Sequence, residues 1–160
     1  VWDSLAMVEY LAERFPAAPV WPRDAARRAR ARSLCAEMHS GFGALRQHCP
    51  MNIEADLPEV GALIWRDQAA VRADVARIDA AWCEALSESG GPMLMGEFSA
   101  LDAFFAPVVM RLQTYHLPVS KTAEAYMQRV LALSSVQAWG QAARAEADFL
   151  DFEEPYRTRR

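Results

Sequence analysis

The sequence predicts an all-α fold built around one buried helix. Apolar residues recur every three or four positions through most of the chain, as one face of a helix requires. Nowhere do apolar and polar residues alternate as they would in a half-buried strand. The segment from Leu101 to Leu112 is apolar on almost every side, which is typical of a central helix. We therefore expect a bundle of about six helices around this segment.

The composition excludes several classes of protein. Lys and Arg number 17 against 21 Asp and Glu, a net charge of −4 that argues against binding to nucleic acid through phosphate contacts. The longest uncharged apolar stretch, residues 103–110, is shorter than the roughly 18 residues that indicate a membrane span. Three cysteines are too few for a disulfide scaffold. We expect a soluble, cytoplasmic protein that binds neither nucleic acid nor membranes.

The N-terminal residues predict a capped helix. Asp3 and Ser4 are both good N-cap types, and the residues up to Phe15 place their apolar side chains on one helical face. Val1 stands where an initiator Met is usual, and no signal peptide follows it. We expect that a segment upstream, against which this helix packed, is missing.

The remaining chain divides at prolines and glycines. Beyond a Pro-rich linker, the spacing predicts long helices over Asp24–Cys49 and Asp67–Ser89, and shorter ones near 122–133 and 136–147. Five arginines between positions 23 and 32 crowd the start of the first, and we interpret them as a solvated face. The predicted parts are a helix at 1–15, a linker at 16–22, an all-helical domain at 23–152 and a fraying tail at 153–160.

One local motif predicts a helix start. Ser99 and Asp102 have the spacing of a capping box, in which the hydroxyl meets the Asp102 amide and the carboxylate reaches back to the Ser99 amide. We therefore assign both residues a structural role at the start of the central helix.

No motif by itself indicates a reaction. The histidines and cysteines do not show the spacing of a metal site, so we expect no metal. His48 adjoins Cys49, but neighbouring residues on a helix point about 100° apart, which disfavours a thiol nucleophile. Glycine-rich phosphate loops and nucleophile elbows are absent from the sequence.

The order of several segments resembles the soluble glutathione S-transferases. Residues Asp3–Glu13 resemble the last helix of their thioredoxin-like domain, and Val20–Pro22 resembles the end of their linker. Arg27–Ala31 and Phe98–Ala103 resemble the starts of their fourth helix and capped core helix. The resemblance is to the bacterial type, and His39–Leu45 is somewhat similar to the zeta class. The chain departs from the family pattern in having Asp rather than Glu or Gln at position 3, and a small residue at position 103.

The resemblance implies a fold and an activity. The fold would be the C-terminal helical bundle of the family around its buried central helix, with most of the thioredoxin-like domain and its catalytic residue lying before Val1. The complete protein would be a cytoplasmic homodimer that acts in detoxification. It would conjugate a small electrophile with glutathione, its co-substrate, or otherwise transform it. The alternative is a non-catalytic interaction module of the same fold in which the pocket is filled.

The resemblance also implies two groups of site residues. Asp3 and Ser4 would bind the γ-glutamyl end of glutathione, whereas the residues alone also suit a plain N-cap. Arg111 would present a cation to an anionic acceptor, and its alternative role is an ion pair with Glu124 or Asp148. The full set expected to wall the acceptor pocket is Met38, His39, Phe42, Arg111 and Tyr115, although a Met and Phe stripe is more often core.

Overall fold

The computed structural model describes residues 1–158, with the backbone alone at position 152. Within this range the chain forms eight α-helices and a short 3₁₀ helix, and its β-type pairing is limited to two isolated bridges between residues 93 and 97. The elements are α1 (Ser4–Arg14), α2 (Ala25–Ser40), α3 (Gly43–His48), α4 (Pro58–Asp67), α5 (Ala69–Ser89), α6 (Ala100–Thr114), α7 (Lys121–Leu131), α8 (Ser134–Glu146) and the 3₁₀ helix Asp151–Glu153. The predicted all-α class is confirmed.

The single helix predicted over Asp24–Cys49 is wrong, because the chain breaks between α2 and α3. Gly41 ends α2, and its amide donates to the Glu37 carbonyl at 2.8 Å. A Cβ at this glycine would lie 2.5 Å from that carbonyl oxygen, so the close approach requires glycine. Phe42 then adopts a left-handed conformation with φ of 56°, and its ring is buried. Burial of the ring offsets the backbone strain.

A helix that the periodicity did not reveal lies between positions 58 and 67. Pro58 occupies the first turn of α4, where its missing N–H costs nothing and its fixed φ suits a helix. The sequence analysis began the next helix at Asp67, close to the start of α5 at Ala69. The helix has only ten residues, so its apolar side chains repeat over too few turns to distinguish it from a loop in the sequence.

The chain divides into two compact units, each with its own core. The first unit comprises Val1–Gly41 and Ala80–Phe105, and the second comprises Phe42–Asp79 and Ala106–Arg160. In the first unit Trp82 and Phe105 meet edge to face, with ring centroids 5.5 Å apart. The largest fully buried side chains of the second unit are Leu45, Val71, Val75, Ile78, Val109, Leu112, Tyr115 and Tyr126.

Helix α6 supplies buried residues to both units. Its apolar residues from Leu101 to Leu112 are buried, apart from the exposed Ala103 and the half-buried Pro107. This confirms the prediction that the segment is enclosed, since a helix apolar on every side is stable only when surrounded by other apolar groups.

Asp102 anchors the start of α6 within the first unit. One carboxylate oxygen accepts the Ser99 amide at 2.9 Å, as the capping box predicts. The Ser99 hydroxyl donates to the same oxygen at 3.3 Å rather than serving the Asp102 amide. The second oxygen accepts the Leu94 amide at 3.1 Å, and Asp102 has no exposed surface. The carboxylate therefore satisfies buried donors on the helix and on the segment before it.

Gly61 permits a close backbone approach within the second unit. The Leu57 amide, just before α4, donates to the Thr114 carbonyl at the end of α6 at 2.8 Å. A Cβ at Gly61 would lie 1.7 Å from the Tyr115 carbonyl oxygen, closer than any side chain allows. Glycine is therefore the residue that lets α4 lie against the end of α6.

The C-terminal segment, which we expected to fray, makes specific contacts as far as the structure describes it. The Tyr156 hydroxyl donates to the His48 carbonyl at 2.7 Å, and its ring meets that of Tyr115 edge to face. Arg157 forms a bidentate pair with Glu154 at 2.7 and 2.9 Å. These polar anchors have no helical period, so the pattern of apolar residues did not indicate them. Residues 159 and 160 of the predicted tail lie outside the described residues.

Asp102→Ala is expected to reduce the free energy of unfolding by about 3 kcal/mol, because the buried amides of Ser99 and Leu94 lose their acceptor. Chemical denaturation measures the change. Asp148→Ala, at an exposed position, is the control and should alter stability by less than about 0.5 kcal/mol. Equal stability of the two variants would show that the Asp102 contacts are not formed.

Gly61→Ala is expected to destabilise the protein by about 2–4 kcal/mol, because the new methyl group meets backbone rather than a movable side chain. The matched control is Gly140→Ala in α8, where a Cβ would lie 3.4 Å from the Arg144 guanidinium and 3.8 Å from Ile53. This control should be neutral or stabilising by up to about 1 kcal/mol through helix propensity. Thermal melting of both variants tests the difference, and a Gly61→Ala protein as stable as wild type contradicts it.

Candidate functional site

The start of α1 carries the two residues expected to bind glutathione. Asp3 is the N-cap, and one of its carboxylate oxygens accepts the Leu5 amide at 2.9 Å. Asp3 adopts a positive φ of 73°, which is unusual for a residue with a side chain. Ser4 is the first residue of the helix, so its hydroxyl is not needed as the cap. The structure therefore assigns the capping role to Asp3 alone.

His39 lies against both of these residues within the first unit. Its Nε2 is 3.2 Å from the second carboxylate oxygen of Asp3, and its Nδ1 is 3.3 Å from the Ser4 hydroxyl oxygen. A neutral imidazole satisfies both contacts if Nε2–H donates to Asp3 while Nδ1 accepts the hydroxyl hydrogen of Ser4. The sequence analysis expected His39 in the acceptor pocket, and the structure brings it to the Asp3–Ser4 pair across 35 positions of sequence.

An ion pair between α1 and α2 holds the two helices that carry this cluster. Arg32 forms two hydrogen bonds with the Glu9 carboxylate, at 2.7 and 2.6 Å. The Arg32 guanidinium also lies 5.5 Å from the ring centroid of Trp21. The parallel bonds of a guanidinium and a carboxylate fix orientation as well as distance. Arg32 and Glu9 therefore hold α2, and with it His39, in register with the start of α1.

The neighbouring arginines are exposed or half-buried, in keeping with a solvated face, but several of them also have specific partners. Arg30 forms ion pairs of 2.8 Å with both Glu84 and Glu88 of α5. Arg28 donates to two backbone carbonyls, those of residues 22 and 23. The glutamates that pair with Arg30 lie more than fifty positions away, so local spacing does not reveal them.

Three of the residues expected to wall the acceptor pocket lie in the core. Met38, Phe42 and Tyr115 are buried, with at most 8 % of their surface exposed. The Tyr115 hydroxyl donates to the Pro50 carbonyl at 3.1 Å, and burial raises the pKa of this phenol above its usual range. Tyr115 is therefore a buried hydrogen-bond donor rather than an ionisable group at neutral pH.

Arg111 occupies a different environment in the second unit. It donates to the Pro107 carbonyl at 3.2 Å and lines a cavity of about 460 Å³. Neither Glu124 nor Asp148, the partners considered from sequence, forms an ion pair with it in the described structure. Of the five predicted pocket residues, Arg111 therefore combines a charge with access to a cavity.

Two of the three thiols are unsuited to nucleophilic chemistry. Burial raises the pKa of Cys49 to about 12, although the nearby charge of Arg111 opposes the change. Burial also raises the pKa of Cys35 to about 12, with further contributions from the negative charges of Asp102 and Glu9. The thiolate is the reactive form, so both side chains remain neutral and inert near pH 7.

The described residues contain no group of three or more His, Cys, Asp and Glu side chains that are placed to hold a metal ion. None of the described helices is both long enough and apolar enough to cross a membrane.

Comparison with solved structures identifies a related protein. No protein-family model matches the sequence, and no curated protein matches it. The chain is similar to the crystal structure of a glutathione transferase homologue from Burkholderia gl BGR1 with bound glutathione, with a TM-score of 0.65 and 26 % sequence identity. The similarity covers 91 % of this chain and 68 % of that one. The chain therefore has the helical fold of a glutathione transferase homologue over nearly its whole length.

We expect the native protein to present one reactive thiol to a disulfide reagent such as dithiobis(nitrobenzoate). Cys83 is partly exposed, whereas Cys35 and Cys49 are buried, with pKa values of about 12 that leave roughly one thiolate in ten thousand at pH 8. Unfolding in guanidinium should release all three thiols. Rapid reaction of two or more thiols in the native protein would show that the buried positions are accessible.

Proposed function

We propose that this chain is part of a glutathione transferase, in which it binds the γ-glutamyl end of glutathione and supplies part of the wall of the acceptor pocket. The observation that carries the proposal is the cluster of Asp3, Ser4 and His39 at the start of α1. The likeness to a glutathione transferase homologue whose crystal structure holds glutathione supports it.

The charges at the start of α1 suit the γ-glutamyl group. The Asp3 carboxylate accepts hydrogen bonds from the α-ammonium. The Ser4 hydroxyl, which donates to His39 Nδ1 before glutathione binds, turns to donate to the α-carboxylate. The positive end of the α1 macrodipole adds a favourable interaction with that carboxylate. Asp3 and Ser4 are both exposed, so neither has to be uncovered before glutathione arrives.

His39 is the positioning residue of this site. By bonding to Asp3 and Ser4 together, it fixes the directions in which their oxygens point. Preorganised groups lose less side-chain freedom when the ligand binds, which favours affinity. Replacing His39 would leave Asp3 and Ser4 present but less well oriented.

The reaction class follows from glutathione itself. In a substitution, its thiolate attacks an electrophilic carbon, a carbon–sulfur bond forms, and the bond to the leaving group breaks with its electron pair going to that group. In an addition, a double bond of the acceptor opens instead, and the resulting anion takes up a proton. We assign no described residue to the activation of the thiol. The acceptor pocket of Met38, His39, Phe42, Arg111 and Tyr115 remains a prediction, and the cytoplasmic homodimer implied by the resemblance remains one as well.

A specific observation favours the second candidate, a non-catalytic interaction module of the same fold. Met38, Phe42 and Tyr115 are buried, as expected if side chains fill the acceptor pocket. Turnover of a chlorodinitrobenzene-type acceptor by the full-length protein distinguishes the two candidates. Glutathione binding without turnover of any electrophile would favour the module.

Ser4→Ala in the full-length protein is expected to weaken glutathione binding roughly 10- to 150-fold, corresponding to about 1.5–3 kcal/mol for one hydrogen bond to a charged group. The melting temperature should change little, because Asp3 rather than Ser4 caps α1. Titration calorimetry and thermal melting, run on the same preparations, measure the two effects.

Ser33→Ala is the matched control for this variant. Ser33 is also an exposed helical serine, and its hydroxyl donates to the Ala29 carbonyl of its own helix. We expect glutathione affinity to be unchanged in this control. If Ser4→Ala binds glutathione as tightly as Ser33→Ala does, Ser4 is not a glutathione ligand and the proposed site is wrong.

A further inference from the structure

The second unit contains a cavity of about 460 Å³ between the loop after α3 and the segment that ends α8. Its volume falls in the range of small-molecule sites. One wall is fixed by Asn52, whose side-chain amide donates to Glu154 and whose oxygen accepts the amides of Glu54 and Ala55 at 3.0 Å. These hydrogen bonds hold the loop that forms this wall of the cavity. Arg111 also lines the cavity.

Arg111 is a partly buried cation that forms no ion pair with any residue the structure describes. A guanidinium has five N–H donors, and the described contacts of this one consist of a single bond to the Pro107 carbonyl. Its Nε is buried, and no acceptor within the described chain reaches it. Burial and the like charge of Arg46 lower the pKa of Arg111. A cation removed from water without an ion pair is costly, which makes an absent anionic partner the physical explanation to test.

Three carboxylates line the same cavity but form no ion pair with Arg111. Glu146, Asp148 and Glu153 are exposed, line the cavity and form no ion pair with any described residue. Glu153 is near enough to favour the charged form of Arg111, yet it lies beyond ion-pair distance. Arg144, which is exposed, also lines the cavity and donates to the Ile53 carbonyl at 3.4 Å. The cavity thus has a half-buried cation, Arg111, and an exposed lining that includes three carboxylates and one arginine.

The two other carboxylates that line the cavity are engaged elsewhere. Glu154 pairs with Arg157 at 2.7 Å, and Glu54 lies 3.8 Å from the same guanidinium. Because both carboxylates face Arg157, we assign neither of them a contact with a ligand or with Arg111. The separation of an inner cation from outer carboxylates is complementary to a molecule that carries both charges at its two ends.

We propose that this cavity binds a small zwitterion, with its carboxylate on Arg111 and its ammonium among Glu146, Asp148 and Glu153. The inner carboxylate provides the counter-ion that Arg111 lacks and acceptors for its unused N–H groups. The outer ammonium meets carboxylates that remain hydrated, which favours a zwitterion over a simple anion. The inference goes beyond the proposed function, since the cavity shares no residue with the Asp3, Ser4 and His39 cluster.

Three probes of matched chain length separate the two charges: γ-aminobutyrate, butyrate and butylamine. Titration calorimetry on the full-length protein should give the highest affinity for γ-aminobutyrate, at least about tenfold above that for butyrate. Butylamine should bind most weakly. Equal affinities for γ-aminobutyrate and butyrate would overturn the proposal, because the outer carboxylates would then contribute nothing.

Arg111→Met tests the inner charge. This variant should lose γ-aminobutyrate binding by at least about tenfold and, without ligand, should melt at a higher temperature, because an unpaired cation is replaced by an apolar side chain. A lowered melting temperature would overturn the proposal by showing that Arg111 is a structural residue. The control is Arg66→Met in α4, which removes an exposed arginine of the same unit and should leave binding unchanged.

The outer charges are tested by the double variant Glu146→Gln and Asp148→Asn, which keeps side-chain size. We expect γ-aminobutyrate to bind it no more tightly than butyrate does. This variant decides the matter even if Arg111→Met fails to fold, since an undiminished preference for γ-aminobutyrate overturns the proposal. Glutathione affinity, measured in parallel, should fall in Ser4→Ala and remain unchanged in the cavity variants, so failure at one site is distinguished from failure at the other.

Discussion

The hydrogen bonds to the Asp102 carboxylate are the interactions that fix the start of α6 in the first unit. The carboxylate is fully buried, yet it accepts hydrogen bonds from the Ser99 and Leu94 amides and from the Ser99 hydroxyl. These bonds give the buried amides of Ser99 and Leu94 an acceptor at the point where α6 begins inside the protein. The apolar residues of α6 can then follow without leaving these two amides unpaired.

Ion pairs between segments that are distant in sequence hold the helices that carry the candidate site. The Arg32–Glu9 pair joins α2 to α1, and Arg30 joins α2 to α5 through two glutamates. Exposed ion pairs contribute little to stability, but bidentate and shared geometries restrict orientation. Their consequence here is positional, since His39 comes to lie beside Asp3 and Ser4. The cluster therefore combines a helix N-cap, a helix dipole and an imidazole, which together suit a zwitterionic end group such as the γ-glutamyl group.

Asp102 and Arg111 show two outcomes for a charged group taken out of water. Asp102 has its hydrogen-bond partners within the chain, and its role is structural. Arg111 has one carbonyl acceptor and no ion pair in the described structure, although carboxylates line the same cavity. A protein retains an under-satisfied cation at a cost in stability, and such positions are more often functional than structural. The same reasoning separates Tyr115, whose hydroxyl has a partner, from Arg111, although both were expected in one pocket.

The amino-acid sequence was sufficient for features that depend on neighbouring residues. Helical periodicity, the Asp3 cap, the Ser99 and Asp102 spacing and the apolar faces of α6 are all local, and each was predicted correctly in its main outline. The break between α2 and α3 was missed because the sequence pattern shows neither the left-handed backbone of Phe42 nor the burial of its ring. Helix α4 was missed because its ten residues make only about three turns. The role of Gly61 depends on its closeness to the Tyr115 carbonyl, which the sequence does not show. Tertiary structure decided which polar groups meet. It placed His39 beside Asp3 and Ser4, gave Arg30 its glutamate partners and left Arg111 without an ion pair in the described structure. Charge and hydrogen-bond partners are set by distance in space rather than by spacing along the chain.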